Sequence, residues 1–242
     1  MDTPEHKKPH FDEALKPASA RDLVARKIAS LIATGALSVG DELPSERELA
    51  VSFNISRSSV RSGLQFLAAK GVLSIAQGVK TRVISADVTP DTRQAQRINA
   101  YSLEDVETAR TMLEDMVVRS AALRIDDATI AKLEEMLDAQ FGMTNDPIRF
   151  LVSDRGFHLT IYEASGNPVL TDFVADLYGY EMTRRRQVVA VPGVIEASCR
   201  EHAEILDGLR ARDPAAAGAA FARHLRHVYA TTRSLMTKGD IS

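Results

Sequence analysis

The stretch LPSERELAVSFNISRSSVR, residues 43–61, carries two helix-start signals with a turn between them, and it constrains the fold most. Ser45 followed by Glu48 matches a capping box, in which each side chain satisfies a free backbone N–H of the first helical turn. Asn54 tolerates the left-handed conformation that ends a helix, and Ser56 is a favoured cap for a second helix. Two helices joined by so short a turn make a helix-turn-helix.

The second of these predicted helices has a polar, cationic face opposite its apolar one. The residues on that face are Arg57, Ser58, Arg61 and Gln65. Such a face suits the major groove of DNA, where arginine can bridge the O6 and N7 atoms of guanine. The alternative is a solvated face on an ordinary domain, and the pattern favours DNA binding over it.

The flanking segments complete a winged helix over residues 21–85. Residues 21–33 have the apolar spacing of an amphipathic helix, closed by Gly35. Two short β-prone runs, 72–75 and 81–84, follow the helix-turn-helix, with a glycine-containing loop between them. The N-terminal domain is therefore predicted to contain three helices and a two-stranded wing.

The rest of the chain reads as helix. Residues 1–20 form a predicted flexible tail and residues 86–99 a polar linker, and a helical bundle is predicted over residues 100–238. Five breaks divide this bundle into about six or seven helices: 124–127, 142–147, 165–168, 191–193 and 212–214. Three breaks end in a capping residue followed by proline, which is the expected chemistry of a helix start. The predicted fold class is mostly α.

Composition and charge narrow the class of protein. The chain has no apolar run of ~18 residues, so no membrane helix is predicted. Its one cysteine, Cys199, excludes an intrachain disulfide and fits the cytoplasm. Residues 1–85 hold 12 Lys and Arg against 9 Asp and Glu, whereas residues 86–242 hold 18 against 24. A cationic N-terminal part and an anionic C-terminal part suit a protein that binds the phosphates of a nucleic acid through its N-terminal part only.

Four polar residues occupy apolar faces of three predicted bundle helices. They are Asp154, His158, His202 and His224. Buried imidazole and carboxylate groups need partners, because each costs a few kcal/mol to desolvate alone. Three imidazoles and a carboxylate match the ligands of Zn²⁺ or a related first-row metal. Histidines satisfied by hydrogen bonds within the core remain the alternative.

One single arginine and one run of three arginines stand out in the bundle. Arg110 lies on the apolar stripe of the first bundle helix, where it predicts either a bidentate anion or an internal salt bridge with Asp154 or Glu181. The run 184–186 consists of three arginines, of which at most one is expected to reach the interior.

These motifs resemble a known family of regulators. Residues 21–84, through LPSERELA, ISRSSVR and GVLSIAQG, resemble the winged-helix domain of the GntR family of bacterial transcription regulators. The bundle resembles the FCD ligand-binding domain of the FadR-like subgroup, through ETARTMLEDMVVRSAALR, DRGFHLTIYEASGNPVL, EHAEILDGL and FARHL. An aspartate four residues before a histidine, with two further histidines 22 residues apart, is the pattern of its metal-binding members.

The resemblance implies roles for individual residues. Operator DNA would be contacted by Arg47, Arg57, Ser58, Arg61, Gln77 and Gly78. A divalent metal ion, Zn²⁺ ahead of Ni²⁺ or Mn²⁺, would be held by Asp154, His158, His202 and His224, and Arg110 would bind the carboxylate of an effector. The chain departs from the family at residues 62–65, Ser-Gly-Leu-Gln instead of Glu-Ala-Leu-Arg, and at residues 78–80, Gly-Val-Lys instead of Gly-x-Gly.

The interpretation is a homodimeric transcription regulator, a repressor that a small hydroxy acid or sugar acid releases from a near-palindromic operator. Two alternatives remain open. In one, the metal ion itself is the signal. In the other, the chain is a metal-dependent hydrolase, although it lacks an HExxH motif and a general base beside the metal ligands.

Overall fold

The computed structural model describes residues 19–88, 98–180 and 182–239. The predicted tail, up to residue 18, and most of the predicted linker, residues 89–97, lie outside this range. The N-terminal part contains α1 Ala20–Ala33, α2 Glu46–Phe53, α3 Arg57–Ala69, β1 Leu73–Ser74 and β2 Arg82–Val83. A short 3-10 helix, Ile98–Ala100, precedes α4 Leu103–Arg124, α5 Asp127–Phe141, α6 Pro147–Ala164, α7 Pro168–Tyr178, α8 Met182–Val189, α9 Val194–Arg210 and α10 Pro214–Gly239. The prediction of a mostly α fold is confirmed.

The helix-turn-helix forms for the reasons that the sequence indicates. The Oγ atom of Ser45 accepts from the N–H of Glu48 at 3.3 Å, and the Glu48 carboxylate accepts from the N–H of Ser45 at 2.8 Å. Asn54 ends α2 in the left-handed region with φ 56°. Ser56 then caps α3 by accepting from the N–H of Ser59. The predicted capping box and turn are therefore both present.

A glycine allows α1 and α3 to pack closely. A Cβ atom added at Gly63 would lie 2.5 Å from Cγ1 of Val24, well inside the normal contact distance. Gly63 therefore gives up some helix propensity to let the buried side chain of Val24 approach the α3 backbone. This contact accounts for one of the departures from the family pattern.

The wing is joined to the segment that precedes α2. β1 and β2 pair antiparallel with Leu73 opposite Val83. On its other side, β2 meets an extended segment, where the N–H of Gly40 donates to the carbonyl of Val83 and the N–H of Val83 donates to the carbonyl of Asp41, each at 2.9 Å. Residues 40–43 therefore extend the wing as a third, strand-like segment paired with β2, although no strand was predicted there.

The bundle helices begin and end near the predicted breaks. Asp146 and Asn167 cap α6 and α7, each with proline as the first helical residue. The described residues contain seven bundle helices, which is the upper end of the predicted range. The additional break separates Tyr178 from Met182, where the sequence offers no capping residue followed by proline.

Helix α6 connects the bundle core to the DNA-binding domain. Nearly all of its middle section is buried, including Asp154, Phe157 and His158. On its outer side a Cβ atom at Gly156 would lie 2.2 Å from the carbonyl oxygen of Ser52 in α2. The helix that carries two predicted metal ligands is thus in backbone contact with the helix-turn-helix.

Candidate metal centre and DNA-binding face

Three bundle helices bring the four predicted metal ligands together in the core. α6 supplies Asp154 and His158, one turn apart on the same face, α9 supplies His202, and α10 supplies His224. All four side chains are buried. One nitrogen of each of the three imidazoles lies within 4.8 Å of the other two.

The carboxylate completes the cluster. The Oδ1 atom of Asp154 lies 3.2 Å from Nε2 of His202 and 3.6 Å from Nε2 of His158. Ligands bonded to Zn²⁺ at 2.0–2.2 Å in a tetrahedron are separated by about 3.4 Å, so these two distances fit a shared ion. We call Oδ1 of Asp154 and the three imidazoles the metal cluster.

Two of the three imidazoles are each held by an acceptor on the far side of the ring. Nδ1 of His202 lies 2.8 Å from Oε1 of Gln140, and Nδ1 of His224 lies 2.8 Å from a carboxylate oxygen of Glu201. Because both partners are acceptors, Nδ1 is the donor in each ring and a neutral ring carries its lone pair on Nε2. Both rings therefore direct a ligand atom inward.

Burial favours the neutral form of two rings. Desolvation, partly opposed by Asp154, lowers the pKa of His158 to about 4. Desolvation also lowers the pKa of His224 to about 4, with Glu201 opposing it. Neutral imidazole is the form that binds metal ions, so near neutral pH these two rings require no deprotonation.

The second oxygen of Asp154 is occupied by other groups. Its Oδ2 atom accepts hydrogen bonds from the hydroxyl of Tyr178 and, at 2.9 Å, from Nη2 of Arg185. Burial alone would raise the pKa of the Asp154 carboxyl, but the charged and hydrogen-bonding groups around it, including the Arg185 guanidinium, outweigh burial and hold the pKa well below its ordinary value. Asp154 is therefore ionised, with Oδ1 left for the cluster.

The residues present fit a divalent ion. Oδ1 of Asp154 and the Nε2 atoms of His158 and His202 are buried and have no hydrogen-bond partner among the described residues. The Nε2 lone pair of His202 and the Oδ1 atom of Asp154 repel each other, and a cation placed between them removes that repulsion. The alternative of core histidines satisfied by hydrogen bonds accounts for the Nδ1 atoms of His202 and His224 but not for the Nε2 atoms of His158 and His202.

Arg110 lies on the buried face of α4, and its partner is Glu114. Nε of Arg110 is 2.5 Å from one Glu114 oxygen, and the other Glu114 oxygen accepts from the hydroxyl of Tyr162. The predicted alternative of an internal salt bridge is thus present, with Glu114 as the partner. Asp154, one of the two suggested partners, pairs with Arg185 instead, and the other, Glu181, lies outside the described residues. Whether Arg110 also binds an effector stays a prediction.

The arginine run divides between different environments. Arg185 is buried against the ring of Tyr178, with its guanidinium carbon 4.4 Å from the ring centre. Arg184 is exposed, and Arg186 forms an ion pair with Asp41 of the DNA-binding domain. One member of the run therefore reaches the metal cluster, as the sequence suggests.

The predicted DNA-contacting residues lie at the surface. Arg47, Arg57, Ser58 and Arg61 are exposed on α2 and α3. Gln77 and Gly78 are exposed in the turn between β1 and β2, where Gly78 adopts φ 75°. Arg61 forms an ion pair with Glu46 at 2.7 Å, which bridges the two helices. These positions leave the assigned side chains accessible to a duplex.

Comparison with known families agrees with both domains. Residues 20–83 match the model described as "Bacterial regulatory proteins, gntR family", and residues 105–227 match the FCD domain. The chain is a GntR-family transcription regulator. It is not an enzyme, so the hydrolase alternative is set aside. The family assignment also confirms the predicted order of a DNA-binding domain followed by a helical ligand-binding domain.

Relatives of this regulator include named repressors. The HTH-type transcriptional repressor NanR of Cronobacter sakazakii is 31% identical over 226 residues, which cover 90% of this chain and 86% of the relative. NanR of Klebsiella aerogenes is 32% identical over 222 residues, covering 88% and 85%. The solved structure of Escherichia coli McbR/YncC shares the fold, with a TM-score of 0.57 and 21% identity over 91% of this chain and all of that one.

Several residues of this GntR regulator's site were not identified from the sequence. Glu114, Gln140 and Glu201 hold Arg110, His202 and His224 respectively. Arg185 belongs to the run of which at most one member was expected to reach the interior, but its contact with Asp154 was not predicted. Glu114 could have been found from its position four residues after Arg110. The other three come from helices distant in sequence, so no local spacing indicates them.

Within the described ranges, no helix combines the length and apolar character of a membrane span.

Proposed function

We propose that this GntR regulator is a homodimeric repressor that a small carboxylate releases from operator DNA by binding at a metal ion in the bundle. The observation that carries the proposal is the convergence of buried, unpartnered ligand atoms from Asp154, His158 and His202. With His224 they would hold a divalent ion, Zn²⁺ ahead of Ni²⁺ or Mn²⁺. Such an ion would supply an electrophilic centre for an effector oxygen.

The charges around the metal cluster favour an anionic effector. The described side chains there include two guanidinium groups, Arg110 and Arg185, and three carboxylates: Asp154, Glu114 and Glu201. A divalent ion would turn this set from one net negative charge to one net positive charge. In a buried environment an unneutralised charge is costly, so one carboxylate group on the effector restores the balance.

A buried hydroxyl beside Arg110 supports an effector with polar groups. The side chain of Tyr229 is buried, and its hydroxyl has no hydrogen-bond partner among the described residues. Its ring centre lies 5.7 Å from the guanidinium carbon of Arg110. Arg110 would bind the effector carboxylate through its remaining N–H groups, and Tyr229 would bind a hydroxyl group of a hydroxy acid or sugar acid.

The DNA-binding face is assigned to the exposed side chains of the winged helix. Arg57, Ser58 and Arg61 at the start of α3 would enter the major groove, Arg47 would contact the backbone, and Gln77 and Gly78 would reach the adjacent groove. Because the proposed target is DNA, we infer that the protein acts in the cytoplasm.

An apolar face on the bundle supports a homodimer. Met112, Met116 and Leu123 are 55–68% exposed along one side of α4, and Val169 and Phe173 are 58–61% exposed on α7. The two helices pack against each other, and we infer that these side chains belong to one apolar surface. Exposed patches of large apolar side chains are typical of interfaces, and a second copy would give the two-fold symmetry of a near-palindromic operator.

A thermal-shift screen tests the proposed signal. About fifty carboxylates of two to six carbons are added to metal-loaded and to chelated protein, because a ligand of the folded state raises its stability by RT ln(1 + [L]/Kd). The proposal predicts a hit with the metal-loaded protein that disappears on chelation. The second candidate, in which the ion is the signal, is favoured by a different outcome. In that case the melting point and the affinity for operator DNA both change with the metal ion and with no carboxylate.

A further inference from the structure

Two consecutive arginines of α8 face the metal cluster and the DNA-binding domain. Arg185 donates from Nη2 to Oδ2 of Asp154 at 2.9 Å. Arg186 donates from Nη2 to Oδ1 of Asp41 at 2.8 Å and from Nη1 to Oγ of Ser38 at 3.1 Å. Neighbouring residues of a helix point about 100° apart, so a single helical turn reaches both places.

The inner arginine is tied to a metal ligand. Asp154 has one oxygen directed at the metal cluster and the other bonded to Arg185 and Tyr178. Arg185 is buried and stacked on the Tyr178 ring. A carboxylate is rigid, so any turn of it that improves its contact with an ion at Oδ1 displaces the groups that are bonded to Oδ2.

The outer arginine is tied to the wing. The main chain of Asp41 accepts from the N–H of Val83 in β2, and the neighbouring Leu43 donates to the carbonyl of Thr81 at 2.8 Å. The side chain of Glu42 bonds Arg82 at 2.9 Å. The segment 40–43 that Arg186 holds is therefore part of the hydrogen-bonded base of the wing.

The two domains also meet directly beside this helix. A Cβ atom at Gly35, just after α1, would lie 2.1 Å from Oγ1 of Thr183 in α8. At this point there is no room for a side chain between α8 and the chain that follows α1, so a shift of α8 here displaces that chain. α8 is consequently placed to move the DNA-binding domain rather than to slide past it.

We propose that α8 transmits the state of the metal cluster to the wing through the contacts Asp154–Arg185 and Arg186–Asp41, which we call the α8 link. The inference rests on the proposed metal centre and adds the route by which that centre reaches the DNA-binding face. Arg185 and Arg186 are positioning residues in this account, because the first acts through Asp154 and the second through Asp41.

A second route runs through α6 and has to be separated from the α8 link. Arg149 of α6 forms an ion pair with Glu48 of α2, and Gly156 contacts the backbone of Ser52. A signal carried by α6 would appear first in α2, whereas a signal carried by α8 would appear in residues 38–43 and 81–84. Hydrogen exchange resolved by segment distinguishes these two regions.

The test is backbone hydrogen exchange of the full-length protein with Zn²⁺ and with a chelator. The variant Arg186→Gln removes the outer half of the α8 link. Its control is Arg223→Gln, which removes the exposed ion pair between Arg223 and Glu204 within the bundle. Melting curves of both variants confirm that they fold, and Asp41→Asn provides a second way to break the same contact.

In the wild type, Zn²⁺ is expected to slow exchange in the segments around the metal cluster and to change exchange about fivefold or more in residues 38–43 and 81–84. Arg186→Gln and Asp41→Asn are expected to keep the slower exchange around the metal cluster but to lose the change in residues 38–43 and 81–84. Arg223→Gln is expected to keep both effects. A wing response that survives in Arg186→Gln, or that is absent in the wild type although the cluster is protected, overturns the α8 link. Absence of protection at the cluster itself overturns the proposed metal centre, and the α8 link with it.

Discussion

Glu201 holds two histidines of α10 with one carboxylate. Its Oε2 atom lies 2.8 Å from Nδ1 of the buried His224, and its Oε1 atom accepts from Nδ1 of the exposed His227. Burial would raise the pKa of the Glu201 carboxyl, but hydrogen bonds from both rings outweigh burial and lower it, so the carboxylate is ionised. An ionised acceptor fixes the tautomer of His224 and increases the basicity of its Nε2 atom.

Replacing Glu201 is expected to weaken metal binding without removing a ligand. Glu201→Gln removes the negative charge behind His224, and loss of such partners typically lowers metal affinity about 10- to 100-fold. Competition against a fluorescent chelator of known affinity measures the change. Glu204→Gln, on the exposed side of the same helix, is the control and should bind as the wild type does. Equal affinities for both variants would contradict the role of Glu201.

Gly156 should resist replacement by alanine although alanine favours helices. In Gly156→Ala the new methyl group meets the carbonyl of Ser52, a backbone atom that cannot rotate away. Overpacking of this kind costs about 1–3 kcal/mol, which exceeds the gain in helix propensity of up to about 1 kcal/mol. Gly218→Ala is the control, because its methyl group meets the ends of flexible side chains. Free energies of unfolding are measured by urea denaturation. A Gly156→Ala variant that is more stable than Gly218→Ala would refute the close contact.

Glu114→Gln should destabilise the bundle strongly, because it leaves the buried charge of Arg110 without its counter-ion. Removing one partner of a buried pair costs about 3–5 kcal/mol. Asp115→Asn removes the carboxylate from the adjacent pair with Arg119, which has the same spacing on the same helix but is solvent-exposed, and costs about 0.2–1 kcal/mol. Free energies of unfolding from denaturant titrations compare the two. Similar losses would show that Arg110 has another counter-ion.

The assigned DNA-binding face predicts a distinct response to salt. Arg57→Ala should weaken binding to a duplex, and if Arg57 contacts phosphate the slope of log K against log salt should fall by about 0.9. Arg210→Ala makes the same change of charge on the bundle surface and should alter neither quantity. Fluorescence anisotropy over a range of salt concentrations gives both. An unchanged affinity for Arg57→Ala would remove Arg57 from the interface.

The parts that sequence predicts best depend on local chemistry. The capping box at Ser45, the left-handed Asn54 and the cap–proline starts of α6 and α7 each need only a few neighbouring residues, and all are found in the structure. The break after Tyr178 was not located, because α8 begins without such a signal. Local rules therefore predict helix ends where a specific cap exists and fail elsewhere.

The metal cluster was predictable because its members break a pattern. A histidine or aspartate on an apolar helical face is conspicuous, and the structure places all four such residues in the core. Their supporting partners are less conspicuous: Gln140 is an ordinary polar residue at an ordinary position, and Arg185 is noticed only as one of three consecutive arginines. The pairing of Asp154 with Arg185 rather than Arg110 depends on which helices become neighbours, which is a property of the tertiary fold.

The central claim is that Asp154, His158, His202 and His224 bind one divalent ion. Elemental analysis of Zn²⁺-loaded and dialysed protein tests it most directly, with His224→Ala compared against His227→Ala three residues further on. The account predicts about one ion per chain in the wild type and in His227→Ala, and a loss of bound metal in His224→Ala, because His227 lies outside the cluster with its ring 47% exposed. Equal metal content in His224→Ala and the wild type, or no bound metal in the wild type, would contradict it.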